Sequence, residues 1–153
     1  MICSINTMGV NGIQGNPISV ECYISNGLPA FDIVGLPDAA VKEARERVRA
    51  AAKNSGFTFP VSRITVNLAP AGIPKEGPIY DLPILIAILC ATEQLDIKAE
   101  KCLFVGELSL KGEIQPVRGL LPMALHAAEQ GYEQFFVPYE NRAEASAVRG
   151  IKI

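Results

Sequence analysis

The residues best placed to do chemistry lie in one short stretch, Pro74 to Ala91, PKEGPIYDLPILIAILCA. Lys75, Glu76, Tyr80 and Asp81 sit in or beside a loop built on Pro74, Gly77 and Pro78, and Pro83 follows one turn later. Prolines fix φ and favour the first turn of a helix. A loop that feeds a helix start is a common place for a phosphate site or a nucleophile. Here the turn holds no Ser, Thr or Cys, and only Gly77 lets the backbone approach an anion. Asp81 is expected to cap free N–H groups at the positive end of the helix dipole. A second group of charges, Lys42, Arg45, Arg49 and Lys53, recurs at helical spacing. It reads either as a solvated face, partly offset by Glu43 and Glu46, or as a stripe that contacts phosphates or a subunit. Lys75 and Glu76 carry the same two readings, solvated loop charges or subunit contacts. Tyr80, Asp81 and Glu107 could line a small polar pocket or merely cap elements.

Other chemistry is poorly supported. The four cysteines, Cys3, Cys22, Cys90 and Cys102, have no CxxC spacing and read as free thiols in a reducing cytoplasm. With His126 the only histidine, and placed beside alanines in a helix, a metal site is not expected. No segment fits a phosphate-binding GxxxxGK[ST] loop. No run suggests a membrane span or a signal peptide. The net charge of −2 leaves no overall basic field, so nucleic-acid binding would need a local patch. At 153 residues, 49% hydrophobic and 20% charged, the chain suits one domain with its own core.

The elements that must hold these residues follow from periodicity. Ile2–Met8 reads as a strand, Gly9–Pro17 as a loop or hairpin connection, and Ile18–Ile24 as a strand with alternating faces. Asn26-Gly27 signals a hairpin into Ala30–Val34, so the start reads as an antiparallel meander. A helix is predicted over Ala39–Asn54, capped by Asp38 and stopped by Gly56, with Val41, Ala44, Val48, Ala51 and Ala52 inward. Glu43 can pair with Arg47 one turn on. Arg63–Ala69 is a strand. Leu82–Ala91 is apolar all round, the pattern of a helix buried on every side. After a polar link (92–101) come strands Leu103–Glu107 and Ser109–Gln115 in a hairpin at Lys111-Gly112. A helix Gly119–Gln130, a strand Phe135–Val137, a helix Glu140–Val148 and a strand Ile151–Ile153 complete the chain. The order predicts a two-layer α/β (α+β) domain with no linker or repeat.

Two segments carry a family resemblance. Pro74-Lys75-Glu76-Gly77-Pro78 before a buried helix resembles the serine-bearing loop of Lon-type proteases. Gly106-Glu107-Leu108-Ser109-Leu110-Lys111-Gly112-Glu113-Ile114-Gln115-Pro116-Val117-Arg118-Gly119-Leu120 resembles that family's following strand pair and helix start. Over the whole chain, with Phe31-Asp32-Ile33-Val34-Gly35-Leu36-Pro37-Asp38 and Pro74–Pro83 as its clearest segments, the sequence resembles the N-terminal domain of the ComM/YifB group, the magnesium-chelatase-like AAA+ proteins. The resemblance implies a Lon-protease-like (ChlI-type) domain in the superfold that includes a ribosomal-protein domain and certain small-molecule kinases. Those kinases use a glycine- and serine-rich loop that Pro78-Ile79-Tyr80-Asp81 does not reproduce. It further implies one domain over 1–153 with an AAA+ module downstream. ATP and magnesium belong to that module and no cofactor to this chain. It implies hexameric rings in the cytoplasm, and DNA remodelling tied to competence.

The same resemblance argues against hydrolysis. The serine of the Lon pattern follows Gly-Pro, where this chain has Ile79. The lysine follows Gly-Leu, where it has Leu121, and the threonine before Gly-Glu is Val105. Apolar side chains can neither attack a carbonyl nor move a proton. The expectation is an inactive accessory domain that assembles a ring, positions DNA, or both, through Lys42, Arg45, Arg49, Lys53 and Lys75. RadA, a DNA-remodelling ATPase with a Lon-like domain lacking the dyad, is a fold-level precedent. The alternative is an interaction module that recruits a partner through an apolar patch of Ile79, Tyr80 and Leu121 around the vestigial pocket.

Overall fold

The computed structural model describes residues 1–11 and 14–153. Strands β1 (Ile2–Asn11), β2 (Gln14–Ser25), β3 (Ala30–Val34) and β4 (Arg63–Ala69) form one sheet in the order β1-β2-β4-β3. β1 and β2 are antiparallel from Ile2↔Tyr23 to Asn11↔Gln14. Of the expected loop or hairpin connection over Gly9–Pro17, the hairpin form is found, its two arms paired as strand as far as Asn11↔Gln14, while Gly12 and Ile13 lie outside the described residues. Pro17 is tolerated because β4 pairs with β2 only from Ser19 onward, so the missing N–H faces no partner there.

The antiparallel meander is corrected. β3 does not pair with β2; β4 lies between them, antiparallel to β2 and parallel to β3. Leu28 and Pro29 lengthen the Asn26-Gly27 turn, and Ala30 N–H goes instead to the Ser62 carbonyl (3.3 Å) to begin the parallel register.

Helix α1 (Ala39–Asn54) has the predicted bounds. The Asp38 carboxylate accepts from Val41 N–H at 2.8 Å, satisfying one donor of the first turn. Its other oxygen accepts from Gly77 N–H (3.2 Å), so one cap also holds the central loop. Helix α2 (Asp81–Ala91) follows a short 3-10 turn at Pro78–Tyr80, and nine of its eleven residues are buried. Burial on all sides follows from its position. One side meets α1 and the sheet's inner face; another meets β5 (Cys102–Phe104) and β6 (Glu107–Leu108). Val41, Val48, Cys22, Val66, Ile84 and Ile88 are central to this first core.

A second core gathers Met8, Leu103, Val105, Leu120, Met123 and Phe135. It joins the far end of β1 to β5, to α3 (Leu120–Glu129) and to β8 (Gln134–Phe136), which is parallel to β5. The predicted hairpin at Lys111-Gly112 forms, but its strands are short. β6 pairs with β7 (Ile114–Gln115) through two residue pairs. The expected helix Glu140–Val148 is a 3-10 turn followed by α4 (Arg142–Ser146), and the last strand is reduced to one bridge at Lys152. The layers are those of a mixed α/β domain. None of the helices among the described residues is long and apolar enough to cross a membrane.

Candidate functional site

The central loop is held by its own charges. Lys75 is fully buried. Its ammonium donates to the Gly35 carbonyl (2.7 Å) and to the Pro70 carbonyl. Its backbone bonds Leu36 O (3.0 Å) and Asp38 N–H (2.9 Å). Burial holds its pKa below the ordinary lysine value. Lys75 therefore cannot serve as the expected DNA or subunit contact: it ties the loop to the end of β3. Lys75→Met should leave two carbonyls without a donor and cost about 1–3 kcal/mol in urea unfolding.

Asp81 is also buried, and it does not cap α2 as expected. Its Oδ2 accepts from Arg47 Nε at 2.6 Å and from Leu108 N–H at 3.0 Å, and its Oδ1 accepts from Arg47 Nη2 at 3.1 Å. Arg47 also donates to the Ala40 carbonyl (2.8 Å) and lies 3.6 Å from Glu43. One carboxylate thus locks α1, α2 and β6 together. Desolvation pushes the Asp81 carboxyl up despite the bonds from Arg47 and Leu108. The bond to Asp81 holds Arg47 above its ordinary value. Sequence reasoning finds the Glu43–Arg47 pair and singles out Asp81 as a cap, but misses the pairing of Asp81 with Arg47. The available signal is an aspartate opening a wholly apolar helix, where a charge needs a partner.

Tyr80 is buried, and burial raises its phenol to about 12. Its hydroxyl approaches Gly9 so closely that a side chain there would collide with it at 2.5 Å. Tyr80 lines a cavity of about 120 Å³ together with Asn16, Ile73 and Glu76. Asp81 and Glu107 do not line it, so the structure does not bring the three predicted pocket residues into one pocket. Glu107 is half-exposed and close enough to act electrostatically on Arg47 and Asp81.

Ile79 packs against both cores, and its carbonyl accepts from Gly106 N–H (3.0 Å). Val105 is buried in the second core, whereas Leu121 is exposed at the start of α3. The expected patch of Ile79, Tyr80 and Leu121 is corrected, because Tyr80 gives it no surface. Along α1, Lys42, Arg45 and Lys53 are exposed and Arg49 is half-exposed. Arg49 pairs with Glu46 (3.1 Å) and stacks over Phe59, 5.3 Å from the ring centre. Such surface pairs leave the face available to an anion. His126, half-exposed, lies 3.9 Å from Glu129. The cysteines are free thiols, and no cluster of metal-ligating side chains occurs among the described residues.

A family model described as subunit ChlI of Mg-chelatase matches residues 20–141. The chain is 47% identical over 145 residues to YifB of Salmonella typhimurium, covering 94% of this chain and 28% of that protein. It is 47% identical over 138 residues to the competence protein ComM of Haemophilus influenzae, covering 90% and 27%. It is 26% identical over 144 residues to the Lon protease of Flavobacterium johnsoniae, covering 90% and 18%. The chain spans less than a third of the length of these relatives. The mixed α/β architecture is therefore a Lon-like domain.

Proposed function

The chain belongs to the ChlI family of Mg-chelatase subunit domains, and from that premise we propose that it is a non-catalytic accessory domain of a magnesium-chelatase-like AAA+ ATPase. The observation that carries this is Ile79. At the place of the Lon nucleophile it has no heteroatom in its side chain and packs against both cores. Leu121, at the place of the lysine, offers no base. The position has changed from chemistry to packing, which suits a scaffold. The domain contributes ring assembly, DNA positioning or both in a cytoplasmic, homo-hexameric protein. ATP and magnesium act in the downstream module.

The α1 face supports the DNA part of this reading. Lys42 and Arg45 are exposed one turn apart, and phosphate contacts of this kind hold register without reading sequence. Reversing both charges (Lys42→Glu with Arg45→Glu) should weaken DNA binding and reduce the salt slope by about one for each phosphate no longer neutralised. Unchanged affinity and slope in that variant would remove α1 from the DNA path. Incubation with unfolded casein and a fluorophosphonate probe tests the non-catalytic part, with neither cleavage nor serine labelling expected. Partner recruitment through Ile79, Tyr80 and Leu121 has less support, since Tyr80 is buried.

A further inference from the structure

Beside the charged face of α1 lies a groove of about 280 Å³. It runs between the second half of α1 and the segments that begin β3 and β4. Phe31 and Ile64 form its floor, Phe59 and Val61 its wall, and Arg49 and Lys53 its charged side. Phe31 backs the Phe59 ring, with centroids 5.7 Å apart and planes at 34°. The Arg49 guanidinium lies over the same ring. A planar cation is thus presented on a planar apolar support. Among the described residues, no carboxylate lines the groove. Glu46, which pairs with Arg49 at 3.1 Å, has a side chain 77% exposed, so an arriving anion can displace it at small cost.

We propose that this groove seats one unpaired base of a single nucleic-acid strand, with the base on the Arg49–Phe59 plate and its phosphate against Lys53. The proposal rests on the DNA reading of α1 and makes it specific. The charge complementarity is to an anion, and the aromatic and guanidinium planes favour a flat ring. The volume lies just below the range of about 300–1,000 Å³ usual for small-ligand cavities and suits one ring system. A base inside a duplex is stacked and paired, and cannot enter without being flipped out. An unpaired strand offers its bases freely.

The test titrates the chain with fluorescent oligothymidine, with an abasic strand of equal length and with a duplex. Wild type should bind oligothymidine about tenfold more tightly than the abasic strand, the effect of stacking one base. Phe59→Leu keeps the apolar volume and removes the ring. Arg49→Lys keeps the charge and removes the plane, at a surface position that does not threaten folding. Both should abolish the preference, and Phe59→Leu, which touches no charge, should leave abasic and duplex binding unchanged. Lys42→Glu with Arg45→Glu should weaken all three ligands together. If Phe59→Leu and Arg49→Lys bind oligothymidine as wild type does, the base seat is wrong and the α1 reading stands. If no strand binds, both fail. Thymidine monophosphate binding as tightly as the oligomer would make the groove a free-nucleotide site and overturn the single-strand assignment.

Discussion

Arg47→Ala is expected to lower the unfolding free energy by about 3–5 kcal/mol, the usual cost of stranding a buried charge. The reason is asymmetry within the pair. Asp81 has no solvent exposure, whereas the Arg47 side chain is 18% exposed. Removing the arginine leaves a buried carboxylate with only the Leu108 N–H, and frees the junction of α1, α2 and β6. Asp81→Asn should cost less, because Arg47 can still reach water, Glu43 and the Ala40 carbonyl. The melting temperature of Arg47→Ala should fall by roughly 10 °C. The loss should also depend on pH. Burial already holds the Asp81 carboxyl above its ordinary 3.8, and losing the arginine raises it further. A folded-state pKa above the unfolded one favours the neutral acid in the fold. Its stabilising effect is complete below 3.8 and is lost as pH rises through the raised value. The gap between variant and wild type should therefore be full at neutral pH and narrow as pH falls toward about 4. A gap that is constant with pH would show that Asp81 is not the group left stranded.

Gly35→Ala should be comparably damaging for a purely steric reason. Gly35 has φ +103°, and a Cβ there would stand 2.3 Å from the Leu68 carbonyl oxygen and 3.0 Å from its carbon. These are backbone atoms of β4, an interior strand of the sheet, and they cannot rotate away. The same glycine supplies the carbonyl that receives Lys75. Strain at positive φ costs about 1–3 kcal/mol, and overpacking typically adds about 1–3 kcal/mol. The sum, about 2–6 kcal/mol, is readable by urea unfolding. Gly27→Ala is the control: it has φ +140° with nothing among the described residues within 4 Å of a Cβ, so only the backbone strain applies. Equal losses at both positions would mean that the close approach of β3 to β4 contributes nothing.

Much of this frame is legible in the chain because its causes are local. α1 declares its start with Asp38, its inward face with Val41, Ala44 and Val48, and its end with Gly56, which has φ +86°. The apolar run after Asp81 announces a buried helix. What escapes a linear reading is set by residues distant in sequence. Asn26-Gly27 is a true turn signal, but which strand β3 joins depends on β4, far along the chain, where Ala30 meets Arg63. Lys75 stands in a Pro- and Gly-rich loop, the usual setting of a solvated charge, and is buried because Gly35 and Pro70 fold over it. Asp81 finds Arg47 at 34 residues' separation. The predicted pocket does not form because Tyr80 and Asp81, though adjacent, point to different surroundings. Helical period alone places Lys42 and Arg45 on the surface, while the groove beside Arg49 needs Phe31 and Phe59 brought together by the fold.

The most direct measurement is a titration of labelled double- and single-stranded DNA with the wild-type chain at about 50 and about 200 mM salt, with sedimentation alongside. Binding is expected to weaken steeply with salt, with more retained at the higher salt for the single strand, where stacking adds to charge. A monomer that binds neither strand at the lower salt would contradict the DNA-positioning role of α1 at its source.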